Sequence, residues 1–210
     1  MTDRADPPDG AVAVVRRYRR IERLVSGATA VSVGLLGAAA YLALPLLWAL
    51  VAFLALLALA RVPVFRTGGR ARLRTDTDPE AVRADFAGAT PPPLALQWGI
   101  ADDIRSVGSS AVYEISYLFG LRSVEMRVDT DADAADRVEI TGTVDGRSWG
   151  TYTARIEPTG TGTEVVLDVR SDRKFGLRRL PQRFVARRFR DAALRAQGYE
   201  VLERADSLSR

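Results

Sequence analysis

The sequence predicts an α+β protein. A two-helix transmembrane hairpin comes first, then a curved antiparallel sheet of about seven strands packed on a long C-terminal helix. Three observations predict this. No charged residue occurs from Leu24 to Ala60, and arginines crowd both ends of that gap. From Leu94 to Arg170, apolar and polar residues alternate in short runs divided by turn residues. From Arg178 to Gln197 the apolar residues recur at helical spacing, and the run stops at Gly198.

An uncharged apolar run of about 18 residues or more reads as membrane-spanning. As one straight helix, Leu24–Ala60 would be about 55 Å long, against a hydrocarbon core of about 30 Å. Two spans fit that length. Pro45 interrupts the run near its middle, flanked by Tyr41 and Trp48 at positions suited to an interface. Arg16, Arg17, Arg19, Arg20 and Arg23 precede the run; Arg61, Arg66, Arg70, Arg72 and Arg74 follow it. With two spans these arginines share one side, which the positive-inside rule makes cytoplasmic. The expected spans cover about residues 25–43 and 46–65, with both termini in the cytoplasm. A cleaved signal peptide would need a much shorter apolar region. Arg16-Arg17 resembles the start of a twin-arginine signal, but Tyr18-Arg19-Arg20 does not continue one. A single kinked span is the remaining alternative, and it would put residues 66–210 across the membrane from the N-terminus.

Residues 1–10, with Asp3, Asp6, Pro7, Pro8 and Asp9, read as a disordered tail. Residues 11–66 comprise a basic amphipathic segment and the hairpin. In that segment Val14 or Val15, Tyr18, Ile21 and Val25 form an apolar stripe, and the arginines take the other faces. It either lies in the interface or extends the first span as a charged helix.

Residues 70–205 read as one soluble domain. Thr67-Gly68-Gly69 is the linker into it, and Arg70 to Thr75 alternates as a strand. Asp78-Pro79-Glu80 supplies an N-cap, a proline at the first helical position and an acid in the first turn. The helix it opens stops before Thr90-Pro91-Pro92-Pro93. Strands are then expected over Leu94–Ser106 with a bulge near Gly99, Ser110–Leu118, Arg122–Asp129, Arg137–Val144, Ser148–Glu157 and Thr163–Arg170. Phe119-Gly120, Asp145-Gly146 and Pro158 to Gly162 supply turns. After the long helix, Tyr199, Val201 and Leu202 suggest a short extended tail.

A strand, the Asp78-Pro79-Glu80-Ala81-Val82 helix, a proline-rich turn, further antiparallel strands and the Arg183–Gln197 helix stand in the order of the helix-grip fold. Over roughly residues 70–197 the chain resembles the START-like superfamily, which includes polyketide cyclase-like and coenzyme Q-binding proteins. The resemblance lies in element order and one local motif. It implies an apolar cavity between sheet and helix, where members hold lipids, quinones, polyketides or hormones. A pleckstrin-homology-like barrel is the alternative, but it lacks a helix between its first two strands.

The chain has no cysteine, no histidine and a single lysine, Lys174. Thiolate and histidine chemistry, and most zinc sites, are thereby excluded. No cofactor or metal is expected. Asp129, Asp131, Asp133 and Asp136 lack the glycine and glutamate of a calcium loop, with Ala134 and Ile140 in those places. Asp102 or Asp103 pointing inward beside a tyrosine would be needed for a cyclase or hydratase. Candidate walls of the implied cavity are Trp98, Tyr113, Tyr117, Met126, Trp149 and Phe189. The basic run of the last helix offers Arg178, Arg179, Arg183, Arg187 and Arg190 to anionic headgroups. No nucleic-acid motif or aromatic platform accompanies these charges. The sequence therefore predicts a membrane-anchored domain binding an apolar or lipid-like ligand, its partners being the bilayer and an apolar small molecule. A scaffold without a cavity is the alternative.

Overall fold

A computed structural model of the chain describes residues 3–4, 7–117, 121–176 and 180–209, giving the backbone alone at 3–4, 59–61, 63–65, 117, 173–176, 180–184 and 208–209. Strand β1 (Asp3–Arg4) pairs with Ser106 and Arg105, and helix α1 (Asp9–Ala43) starts within the stretch expected to be disordered. Helix α1 runs unbroken for 35 residues, or about 52 Å at 1.5 Å per residue. The charged segment is thus an extension of the apolar one. Its stripe is not turned to a bilayer interface: Ala11 and Val15 are fully buried against the soluble domain. From Leu24 to Ala43 no residue is buried.

Pro45 caps helix α2 (Leu46–Arg61). With two residues between the helices the chain doubles back, and Gly37 lets Phe53 approach to where a Cβ would be 3.0 Å away. Among the described residues one helix, α1, is long and apolar enough to cross a membrane; the apolar part of α2, Leu46–Ala58, is shorter. The second apolar segment ends four residues sooner than the sequence suggested, because residues 63–65 belong to strand β2 (Pro63–Thr75). Pro63 cannot donate to a helix, and the residue before a proline is pushed out of the helical region. Val62 accordingly has φ −57° and ψ 121°.

Strand β2 continues through Thr67-Gly68-Gly69, so the expected linker is sheet. It lies between two partners, and a Cβ on Gly69 would sit 2.7 Å from the Ala205 carbonyl oxygen. Only glycine permits that approach. Helix α3 (Pro79–Ala87) is opened by Asp78, whose Oδ1 accepts from the amides of Glu80 (3.1 Å) and Ala81 (3.0 Å). The expected strand over Leu94–Ser106 is replaced by a 3-10 turn (Pro92–Leu94), the short helix α4 (Ala95–Trp98) and strand β3 (Asp103–Val107). Pro91 to Leu96 are all buried, so this stretch lacks the alternation that a strand with one wet face requires. The Trp98 indole N–H donates to the Pro91 carbonyl at 2.9 Å and closes the turn.

Strands β4 (Ser110–Tyr117), β5 (Arg122–Asp131), β6 (Arg137–Val144), β7 (Arg147–Thr159) and β8 (Gly162–Gly176) follow as antiparallel neighbours. Helix α5 (Leu180–Arg195) crosses back, and strand β9 (Glu200–Ser209) pairs with β2 where a short tail was expected. The described strands form one antiparallel sheet ordered β1-β3-β4-β5-β6-β7-β8-β2-β9. Its inner face holds the main core, including Leu73, Tyr113, Val128, Ile140, Ala154 and Val165. A second apolar cluster, Val15, Leu96, Ala186 and Phe189, joins α1 to α4 and α5.

Candidate functional site

Inward side chains along the middle strands are covered unequally. Tyr113, Met126, Ile140, Ala154 and Leu167 are buried, whereas Ile115, Val124, Val144, Trp149 and Val169 are only partly covered. In this antiparallel register Ile115, Val124, Val144 and Trp149 stand toward one end of the sheet, near the ends of β4 and β6 and the starts of β5 and β7, while Val169 lies at the middle of β8. Strand β2 begins at that same end, where Pro63 faces Gly176 just after α2. The interior is therefore packed solid at one end and loosely covered at the end nearest the apolar helices.

Trp149 owes its inward position to a register shift between Gly142 and Thr143, which leaves one extra residue in β7. A Cβ on Gly142 would lie 3.1 Å from the Trp149 ring and 3.0 Å from the Met126 methyl, so the indole lies across a bare backbone. Its other neighbour is Tyr152, stacked with centroids 5.9 Å apart and planes at 18°.

Charged groups of α5 and β9 border the interior on the side of this aromatic pair, from the nearly buried Arg204 to the half-exposed Arg187. Tyr152, Val169, Gly69 and Asp206 stand in one row across β7, β8, β2 and β9. Arg204 and Asp191 form a close charge pair at 2.7 Å without hydrogen-bond alignment, and the Arg204 side chain is only 9% exposed. Arg187 lies 3.6 Å from Asp206. Among the described residues the buried Arg204 Nε and Asp191 Oδ1 both lack a hydrogen-bond partner. Arg190 has no ion-pair partner among the described residues. Burial pushes the Tyr152 phenol upward, while the Arg190 and Arg204 guanidiniums pull it back. Burial also pushes Tyr18 up to about 12, helped by Glu22 and opposed by the same Arg190. Arg190 thus lies near both α1 and the sheet.

Of the residues singled out from the sequence, Trp149 alone among those described lines the open end. Trp98, Tyr113 and Met126 are 1%, 0% and 2% exposed and belong to the packed core. The Tyr113 hydroxyl donates to the Ala89 carbonyl at 2.8 Å, and its burial raises its pKa. Phe189 faces away from the sheet interior and packs on Tyr18 at 5.6 Å. The side chain of Tyr117 lies outside the described residues, as do Arg178, Arg179 and the side chain of Arg183. Arg187 and Arg190, expected at headgroups, stand beside Asp206 and Tyr152 respectively. Ile115, Val124, Tyr152 and Val169 were legible as inward positions but not as the loosely covered ones. Arg204 carried no signal, because β9 reads as a tail.

The aspartates are otherwise engaged. Asp102 accepts from the Ser116 amide at 2.7 Å, and Asp103 pairs with Arg105 at 3.2 Å. The Ser110 hydroxyl and then Arg127 hold Asp129 below the usual carboxylate range. Among the described residues no three metal-ligating side chains gather at one point. On the outer face of the sheet a cavity of about 500 Å³ is lined by Arg70, Arg137, Arg155, Arg170, Glu139 and Asp168 among others. Arg70 pairs there with Asp168 at 2.7 Å and Arg137 with Glu139 at 2.6 Å.

No protein-family profile matches the chain, and no curated protein matches it. Solved structures do resemble it. A Rhodobacter sphaeroides protein is 16% identical, with a TM-score of 0.41 over 63% of this chain and 89% of its own. A conserved protein from Geobacillus kaustophilus is 9% identical, with a TM-score of 0.44 over 62% and 91%. A START superfamily protein from Mycobacterium smegmatis is 10% identical, with a TM-score of 0.42 over 63% and 94%. These are likenesses of general fold, and the reading of the site rests on its own residues.

Proposed function

We propose that this chain is a membrane-anchored, START-like domain whose sheet–helix interior takes an apolar or lipid-like ligand from the adjacent bilayer. The observation that carries the reading is the uneven interior. Among the described residues of the middle strands, the partly covered apolar side chains Ile115, Val124, Val144 and Trp149 gather toward the end of the sheet where the chain leaves α2. Leaving Ile115, Val124, Val144 and Trp149 partly wet forfeits burial worth about 25 cal/mol per Å², a cost that a bound apolar ligand removes.

The anchor is a two-span hairpin in this reading, with both ends of the chain in the cytoplasm. From Leu24 to Ala43, α1 covers about 30 Å, the thickness of the hydrocarbon core. Helix α2, with 16 residues, covers about 24 Å. The bilayer meets this shorter span by local thinning, since residues 63–65 belong to the sheet.

Native mass spectrometry of the full chain, purified in nanodiscs without stripping detergent, tests the ligand. A co-purified amphiphile released only on unfolding is expected. A bare polypeptide mass would contradict the reading. It would favour a polar partner on the outer face, where the 500 Å³ cavity lies.

A further inference from the structure

We propose that the outer face of the sheet binds a small soluble solute with an anionic group at each end and hydroxyls between, held by Arg155 and Arg170 in the cavity of about 500 Å³. The site is separate from the interior of the grip and stands whether or not an apolar ligand fills that interior.

The charges lining this cavity do not cancel. Arg70, Arg137, Arg155 and Arg170 meet two carboxylates, Glu139 and Asp168. Both acids are engaged. Asp168 accepts twice from Arg70, at 2.7 and 3.2 Å, and Glu139 accepts from Arg137 at 2.6 Å. Arg155 and Arg170 have no ion-pair partner among the described residues, and Glu157, the next outward residue of β7, makes no ion pair with Arg155. Arg170 also borders a smaller cavity of about 350 Å³, where Arg66 adds one cation and Asp172 one acid, so the surplus of two is unchanged. Asp172 there accepts from the Ser148 hydroxyl.

The strand register sets the spacing of the two surplus cations. Arg155 stands opposite Val166, Thr153 opposite Asp168 and Thr151 opposite Arg170. Four residues at about 3.4 Å each put Arg155 and Arg170 about 14 Å apart along the strands. Between them lie the neutralised Arg70–Asp168 pair and the hydroxyls of Thr151 and Thr153, which make no hydrogen bond among the described residues. Guanidiniums at both ends suit phosphate or carboxylate groups, and the threonines suit hydroxyls. The lining holds no aromatic side chain, so a nucleobase has nothing to stack on. Strands β6, β7, β8 and β2 are each paired on both sides, so no free edge takes up an acidic peptide as an added strand. The volume falls in the range of small-molecule sites.

Isothermal titration calorimetry of the full chain in zwitterionic nanodiscs tests this, at low ionic strength where exposed charges act most strongly. Fructose 1,6-bisphosphate, galactarate, fructose 6-phosphate and fructose are the probes. One of the two-ended anions is expected to bind about tenfold or more tightly than fructose 6-phosphate, the scale of one charge-assisted hydrogen bond. Fructose is expected not to bind. The tighter of the two-ended anions identifies the end groups as phosphate or carboxylate. Arg155→Gln and Arg170→Gln, both at exposed positions, are each expected to bring that anion to the level of fructose 6-phosphate. Arg122→Gln removes the same charge outside the cavity and is expected to leave binding unchanged. Two-ended anions that bind no more tightly than fructose 6-phosphate would overturn the site, as would an Arg122→Gln loss equal to that of Arg155→Gln. Displacement of the bound anion in nanodiscs containing cardiolipin, whose headgroup carries two phosphates, would overturn a soluble ligand in favour of a lipid one.

Discussion

Single atoms set the geometry of the interior at a few positions. Gly69 is one: an added Cβ would meet the Ala205 carbonyl oxygen at 2.7 Å and the Asp206 Cα at 3.2 Å, both backbone atoms that cannot swing away. Gly69→Ala is expected to cost about 1–3 kcal/mol in urea unfolding, the range for overpacking a tight site. Asp78→Ala removes an acceptor for two helix-start amides and is expected to cost about 1 kcal/mol. Buried phenols make stability sensitive to alkali. Burial raises Tyr113 and Tyr152 above the ordinary value of 10.0, and Tyr199 is raised by burial and by Asp85, which accepts its hydroxyl proton at 3.1 Å. The folded chain keeps protons there that the unfolded chain releases. Stability is therefore full below about pH 10 and declines as pH rises through the folded values. Circular dichroism against pH should show that decline, and Tyr199→Phe should make it shallower while lowering stability at neutral pH. Much of the residue scale is readable beforehand: Asp78-Pro79-Glu80 is a local signal and holds as read. The tight packing at Gly69 was not, because it depends on β9, more than a hundred residues away.

At the scale of elements, the first turns of α1 form part of the domain rather than a surface helix. Val15 is fully buried, Gly99 admits it to within 2.7 Å of a would-be Cβ, and Tyr18 packs on Phe189. Val15→Ala is expected to cost about 2 kcal/mol and to speed amide exchange in the first turns of α1. If those amides exchanged alike in both proteins, the packing of α1 on α5 would not be what protects them. The amphipathic stripe was visible in the sequence, but periodicity tells which face is apolar and not what covers it. The same limit explains Leu94–Ser106, whose apolar residues suit a buried helix or a strand equally. It explains β9 as well. Its inward residues are Arg204 and Asp206, which read as surface until α5 supplies Asp191 and Arg187 as partners. The middle strands β4 to β8 were legible because each alternates cleanly and ends at a recognisable turn.

At the scale of the whole molecule, two connections hold the apolar helices to the domain. Helix α1 docks on α5, and α2 passes through Val62 directly into β2. Such short joins fix the open end of the sheet beside the helices, which a flexible linker would not do. Topology is open to a simple check, since the chain has no cysteine. With a two-span anchor, Leu44→Cys should react with an impermeant maleimide in intact cells, and Asp76→Cys only after lysis. Labelling of Asp76→Cys in intact cells would contradict a hairpin with both ends in the cytoplasm. The most direct test of the central claim, that the open end of the grip receives bilayer lipid, is quenching of Trp149 by brominated acyl chains. The Trp48→Phe chain would be compared in nanodiscs of brominated and ordinary phosphatidylcholine. The account predicts marked loss of Trp149 emission in the brominated bilayer, absent when Trp149→Phe is added. Equal emission in both bilayers would contradict it.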